Sequence, residues 1–202
     1  GHSRQEVAVT EPRDLADWLA EALDGLGLDR PHLAGVSYGG FLALNLAAHH
    51  PTRVRTLTLF EPAGIERVRM ARFMAWGMAS MGAAFLPTPL RMRAARRLRM
   101  PVLEDPRIIR VVAYGQRHHR ARLLRPEPLT DDQLAGIAQP VLAVLGERSE
   151  VFPTAAVRAR LQGHLPDVAL YTVAGAGHGL VVSDVDRLAG WLADFVADHD
   201  PA

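Results

Sequence analysis

The sequence of 202 residues contains no cysteine. This absence excludes disulfide bonds, thiolate-bound metals and a cysteine nucleophile. Lysine is absent as well, so all 23 basic residues are arginine, and acidic residues nearly balance them to a net charge of +1. A balance this close to neutral gives no argument for nucleic acid or for an acidic partner.

The sequence is also poor in long apolar runs. Residues 73–90 carry no charge, but they include two glycines and two prolines and are barely long enough to span a bilayer. We interpret them as a buried or lid helix and expect no stable membrane insertion. The first residues lack the apolar core of a secretory signal, so we expect a cytoplasmic protein.

One pattern present in the chain is Gly35-Val36-Ser37-Tyr38-Gly39, which lies between an apolar segment, 32–36, and a helical pattern that begins at Phe41. A strand that turns sharply into a helix around one strained residue needs small residues two positions before and after it. Such a turn exposes the hydroxyl of Ser37 and leaves the amide of Tyr38 free to donate to an oxyanion. The pattern predicts a nucleophile elbow.

Hydrophobic spacing predicts an α/β fold with a mostly parallel sheet flanked by helices. The predicted strands are 32–36, 54–60, 141–145 and 168–173, and the predicted helices outside the insertion are 12–26, 41–50, 154–161 and 184–197. Residues 65–139 interrupt this alternation with helical patterns only. We therefore divide the chain into a first core part, 1–64, a helical cap, 65–139, and a second core part, 140–202.

The insertion contains all six methionines and a cluster of arginines. Met70, Met74, Met78 and Met81 lie at helical spacing, which favours ordinary packing, with an adaptable apolar wall over an active site as the functional interpretation. The arginine run, which comprises Arg91, Arg93, Arg96, Arg97 and Arg99, is typical of a solvated helix face. A site for an anionic substrate tail or an anionic membrane surface is the less favoured interpretation.

A glycine-rich loop, Gly175-Ala176-Gly177-His178-Gly179, follows the last predicted strand. Ser37 needs a general base, and His178 in this loop is the candidate. With the elbow and the resumed strands, this loop makes the whole chain resemble the α/β-hydrolase superfamily, whose members carry nucleophile, acid and histidine in that order. The resemblance implies that the family's first strands, and the loop with a second oxyanion-hole amide, lie outside this chain.

The outer edge of the predicted strand 32–36 has no partner in the preceding residues. Natural sheets avoid a bare apolar edge. We therefore expect the chain to be the C-terminal part of a longer protein.

The residues alone leave alternatives for the third member of the triad. The segment 146–153 resembles the family's acid loop, but Ser149 occupies the place of the aspartate and cannot supply a negative charge. Some members of the superfamily, including haloalkane dehalogenases, carry the acid after the strand that follows the elbow, where this chain has Glu61. We choose Glu61, with Glu150 as the alternative and Glu147 behind both. A capping or turn role for Glu61 stays open.

A serine at the elbow, in place of the aspartate of similar dehalogenases, argues for acyl chemistry. We therefore predict a serine hydrolase that cleaves an ester, thioester or related carbonyl bond of a small, partly apolar substrate, without a cofactor or metal. C–C bond hydrolysis and perhydrolysis use the same triad and stay open. The alternatives are a non-catalytic ligand-binding or interaction module and an inactive truncated fragment. The sequence indicates neither the substrate nor the oligomeric state.

Overall fold

A parallel sheet of four strands runs through the computed structural model, which describes residues 7–119 and 123–200. The strands are β1 (His32–Val36), β2 (Thr56–Phe60), β3 (Val141–Gly146) and β4 (Val168–Val173). They pair in the order β1-β2-β3-β4, and every pair is parallel. The predicted α/β fold with a mostly parallel sheet is confirmed.

Helices surround this sheet and fill the insertion. In chain order they are α1 (Pro12–Gly25), α2 (Tyr38–His49), α3 (Met70–Ala84), α4 (Thr88–Leu98), α5 (Pro106–His118), α6 (Asp131–Ala135), α7 (Thr154–His164), α8 (Leu180–Ser183) and α9 (Val185–His199), with short 3-10 turns at Pro51–Arg53 and Pro101–Leu103. Within the described residues, no helix is long and apolar enough to cross a membrane.

The core lies on both faces of the sheet because side chains alternate along each strand. In β3, Val141, Ala143 and Leu145 pack into a large cluster shared with α1, α2 and α7. Leu142 and Val144 point the other way and join a second cluster formed with α8 and α9. Packing on both faces explains why every residue of β2 and β3 is buried.

β1 differs from the buried strand expected at 32–36. It lies at the edge of the sheet, where Gly35 alone is buried and Val36 is 43% exposed. Its outer edge pairs with no other strand in the described part of the chain, and this explains the exposure.

The two ends of the insertion between β2 and β3 are hydrogen-bonded to each other and to the core. Its two ends meet where the amide of Leu129 donates to the carbonyl of Gly64 over 2.9 Å. The guanidinium group of Arg160 on α7 donates to the carbonyls of Ile65 and Leu129 and to Asp131. One core arginine therefore contacts both ends of the insertion.

The methionine residues of α3 do not pack as expected. Met70, Met74, Met78 and Met81 are all exposed. The opposite face of α3 packs on α4 through small residues, in a cluster centred on Ala83, Ala95 and Leu103. Alanines allow α3 and α4 to approach closely. The four methionines lie outside this helix–helix contact. The uncharged stretch 73–90 is divided between α3 and α4.

Candidate active site

Ser37 lies at the turn between β1 and α2 in a strained backbone conformation, with φ 50° and ψ −110°. Its amide donates to the carbonyl of Phe60 over 2.9 Å, and its carbonyl accepts from the amide of Ala63 over 2.9 Å. These two bonds hold the turn against the end of β2. A conformation of this kind costs about 1–3 kcal/mol and persists only where the surroundings enforce it.

Two positions around this turn require glycine. One is Gly35, as expected, and the other is Gly40 in place of the expected Gly39. A Cβ atom at Gly35 would lie 2.5 Å from the carbonyl oxygen of Gly39, so position 35 requires glycine. At Gly39 a Cβ would meet nothing within 4 Å, whereas at Gly40 it would lie 2.8 Å from Cβ of Pro62. The expectation of a steric need at Gly39 is wrong, and that need belongs to Gly40.

Tyr38 is the first residue of α2, so its amide has no intrahelical acceptor. Its phenol group donates to the carbonyl of Leu124 over 3.1 Å, in the insertion. Burial raises the pKa of Tyr38, and the hydrogen bond to Leu124 partly opposes that rise. The role of the Tyr38 amide in an oxyanion hole stays a prediction.

The imidazole of His178 lies between Ser37 and Glu61. Its Nε2 is 3.1 Å from Oγ of Ser37, and its Nδ1 is 3.0 Å from Oε2 of Glu61. When the proton is on Nδ1, the ring donates to the carboxylate and accepts from the serine hydroxyl. The rings of Phe152 and Trp76 pack edge-on to the imidazole, with centroids 5.5 and 6.4 Å away.

Glu61 is fully buried at the end of β2 and also has a positive φ of 49°. Its Oε1 accepts from the amide of Gly146 over 2.7 Å. Its Oε2 accepts from the hydroxyl of Ser149 over 2.5 Å, in addition to His178. A buried carboxylate needs partners of this kind, and Glu61 has three.

The ladder between β1 and β2 explains why Ser37 and Glu61 are close. Val36 pairs with Phe60, so the next residue of each strand occupies the matching position at the same edge of the sheet. The loop after β4 then carries His178 to that edge. Ser37 and His178 are 141 residues apart in the sequence.

The structure does not bring the other two candidate acids to the imidazole. Oε1 of Glu150 accepts from Nε of Arg99 over 2.6 Å, and its Oε2 accepts from the backbone amide of His178 over 3.1 Å. Oε2 of Glu147, an exposed residue, accepts from the amide of Gly175 over 2.8 Å. Both carboxylates therefore hold the loop that carries His178, and neither contacts its ring nitrogens.

Sequence reasoning missed the part played by Ser149. The only signal was its place in the acid loop, where the resemblance leads to an aspartate. Metal binding gains no support from the geometry, because residues 7–119 and 123–200 contain no group of three or more histidine and carboxylate side chains that could hold an ion.

Comparison with known proteins decides the family. A family model for the alpha/beta hydrolase fold matches residues 1–184. The chain belongs to the α/β-hydrolase family. The resemblance expected from the elbow and the histidine loop is therefore confirmed.

Individual relatives of this α/β-hydrolase chain are distant. A Bacillus subtilis protein described as "Uncharacterized carboxylesterase nap" is 25% identical, over 83% of this chain and 57% of its own length. A 2-hydroxymuconate semialdehyde hydrolase from Pseudomonas putida is 26% identical, over 92% of this chain and 70% of its own. The crystal structure of naproxen esterase from Bacillus subtilis has a TM-score of 0.78 at 20% identity, over 97% of this chain and 70% of that one, and shows a shared fold.

Proposed function

We propose that this chain carries the catalytic residues of a serine hydrolase that cleaves an ester, thioester or related carbonyl bond of a small, partly apolar molecule. The observation that carries the proposal is the continuous series of hydrogen bonds from Ser37 through His178 to Glu61. This arrangement is recognised by its geometry and its roles and not by sequence position.

In the proposed reaction, Oγ of Ser37 attacks the carbonyl carbon while Nε2 of His178 takes the hydroxyl proton. The carboxylate of Glu61 stabilises the imidazolium through Nδ1. The Tyr38 amide donates to the oxyanion of the tetrahedral intermediate. His178 then gives its proton to the leaving group, and water hydrolyses the acyl-enzyme with the same residue as base.

The names of the relatives support hydrolysis, first of an ester and second of a related carbonyl compound. C–C bond hydrolysis and perhydrolysis stay open, since they use the same residues. The departure at Ser149 does not by itself favour the non-catalytic module, because the Ser149 hydroxyl donates to Glu61, the acid of the proposed triad. A cytoplasmic location and the absence of a nucleic-acid partner stay predictions.

The test is labelling of the full-length protein with a fluorophosphonate probe, which requires an activated serine, followed by mass spectrometry of the modified peptide. We expect modification at Ser37 and none in a Ser37→Ala variant. Glu61→Gln should slow labelling by about a thousandfold or more, as loss of a triad acid does elsewhere. Glu150→Gln is the comparison variant, because its amide oxygen can still accept from the backbone amide of His178. We expect it to slow labelling far less than Glu61→Gln, although it removes the charge paired with Arg99.

Two results would contradict the proposal. Labelling that survives in Glu61→Gln but is lost in Glu150→Gln would transfer the role of acid to Glu150. Folded protein that shows no labelling at all would favour the binding module.

A further inference from the structure

A cavity of about 320 Å³ lies between the start of α3, the end of α4 and the loop after β3. Four arginines line it, namely Arg69, Arg72, Arg99 and Arg148, together with the single carboxylate of Glu147. The arginines come from three separate parts of the chain. They therefore converge on a common space, unlike the solvated face of a single helix.

The carboxylates near these arginines are too few to neutralise them. Arg99 donates through Nε to Glu150, which leaves its two terminal amino groups without an acceptor in the described part of the chain. Nε of Arg148 is 3.8 Å from Glu147, and both side chains are largely exposed. No described carboxylate lies within 4.0 Å of the guanidinium groups of Arg69 or Arg72. The four guanidinium groups thus have two carboxylates near them, Glu147 in the cavity and Glu150 beside Arg99.

Other polar groups of the cavity are already engaged. The hydroxyl of Ser149 donates to Glu61, and that of Thr154 donates to the carbonyl of Gly146. The arginines are therefore the side-chain donors left for a ligand. Arginine suits carboxylate and phosphate oxygens, because its planar fork can donate two parallel hydrogen bonds.

Arg99, which ends α4 in the left-handed conformation common at helix C-termini, connects the cavity to the loop that carries His178. Its Nε donates to Glu150, whose other carboxylate oxygen accepts from the backbone amide of His178. Phe152 lines the cavity and packs on the imidazole of His178, so the cavity is next to the proposed active site but separated from it by a ring.

We propose that this cavity binds a small oxyanion, a phosphate or carboxylate group, whose charge matches the excess of two positive groups. The proposal goes beyond the hydrolase function and does not depend on it. The oxyanion comes either from a free anion or from the charged end of the substrate. In both cases it joins the start of the insertion, through Arg69 and Arg72, to the core loop that carries Arg148.

The test is isothermal titration of the full-length protein with inorganic phosphate, with chloride used to keep the ionic strength constant. We expect saturable binding at one site. Arg72→Gln and Arg148→Gln should each weaken the affinity by about tenfold or more, because each removes a charge-assisted hydrogen bond. Arg93→Gln, which removes an exposed arginine of α4 outside the cavity, should leave the affinity unchanged. Thermal unfolding in chloride alone checks that every variant is folded.

The absence of saturable binding in the folded protein would overturn the proposal. An equal loss of affinity in Arg93→Gln would also overturn it, since that result would indicate a general effect of net charge. Kinetics then identify the source of the anion. If the anion is part of the substrate, phosphate raises KM for an ester with a terminal carboxylate but not for a neutral ester of equal length. If the anion is free, phosphate binds in the calorimeter without this difference in KM.

Discussion

The hydroxyl of Ser149 donates to Oε2 of Glu61, the same oxygen that accepts from Nδ1 of His178. Ser149 stands where the family pattern leads to an aspartate. The carboxylate thus follows β2 and a neutral donor follows β3, and the two side chains are hydrogen-bonded to each other. Under the proposed function, Glu61 supplies the acid from a different strand end, and Ser149 supplies a hydrogen bond to it.

This arrangement predicts that the carboxylate can be moved from position 61 to position 149. Glu61→Gln should slow labelling of Ser37 by about a thousandfold. Ser149→Asp alone should also impair it, because two carboxylates would face each other at hydrogen-bonding distance. The double variant Glu61→Gln/Ser149→Asp has one carboxylate again and should recover about tenfold or more over Glu61→Gln. Glu61→Gln/Ser149→Asn is the control, and equal rates for both double variants would contradict the prediction.

The elbow glycines provide a test by stability. Gly40→Ala should destabilise the protein, since the new Cβ would lie 2.8 Å from Pro62, and Gly35→Ala should do so more strongly, because its contact is with backbone. Gly39→Ala should be neutral or stabilising by up to about 1 kcal/mol, because alanine is the better helix former. Urea unfolding measures all three. If Gly39→Ala lowered the free energy of unfolding as much as Gly40→Ala, the space for a Cβ atom at Gly39 would be shown to be absent.

The base of the insertion depends on Arg160. Arg160→Met should lower the free energy of unfolding by about 2–3 kcal/mol, because the carbonyls of Ile65 and Leu129 are buried and would lose their charged donor. Arg158→Met, on the same helix but exposed, is the matched control and should stay within about 0.5 kcal/mol of the unchanged protein. Equal effects of the two substitutions in urea unfolding would refute this role.

Asp131 next to Arg160 predicts a dependence on pH. The hydrogen bond from Arg160, with a smaller effect of the charge on His164, holds the pKa of Asp131 below its usual value of 3.8. A carboxyl group whose pKa is lower in the folded state stabilises the fold above the unfolded pKa and loses this effect as the pH falls through the folded pKa. Asp131→Asn should therefore be less stable than the unchanged protein at about pH 7, and the difference should shrink as the pH falls below the usual carboxyl pKa of 3.8. A constant difference in urea unfolding across this range would exclude the electrostatic origin.

The sequence predicted those strands whose bounds depend only on neighbouring residues. The strands at 32–36 and 168–173 match the structure because each apolar run ends at residues that turn the chain. The exposure of β1 was not predictable from its own residues, since burial of a strand depends on which neighbours pair with it. The exposed methionines of α3 were missed for the same reason, because their spacing does not show which face α4 covers.

In the candidate site, too, sequence patterns identified single residues but not the long-range contacts between them. Ser37 and His178 lie in glycine-rich patterns that a sequence displays, and the structure brings them together with Glu61. Their catalytic roles stay predictions. The pairs Arg99–Glu150 and Arg160–Ile65 join residues 51 and 95 positions apart, and no local pattern marks them.

Ser37 and Glu61, which both have positive φ, directly follow Val36 and Phe60, the last pair of the β1–β2 ladder. The chain thus places two unfavourable backbone conformations side by side, each at a cost of about 1–3 kcal/mol, at two residues of the proposed triad. A glycine in place of Ser37 would relieve part of that cost and remove the hydroxyl at the same step. Stability and the proposed reaction therefore place opposite demands on position 37.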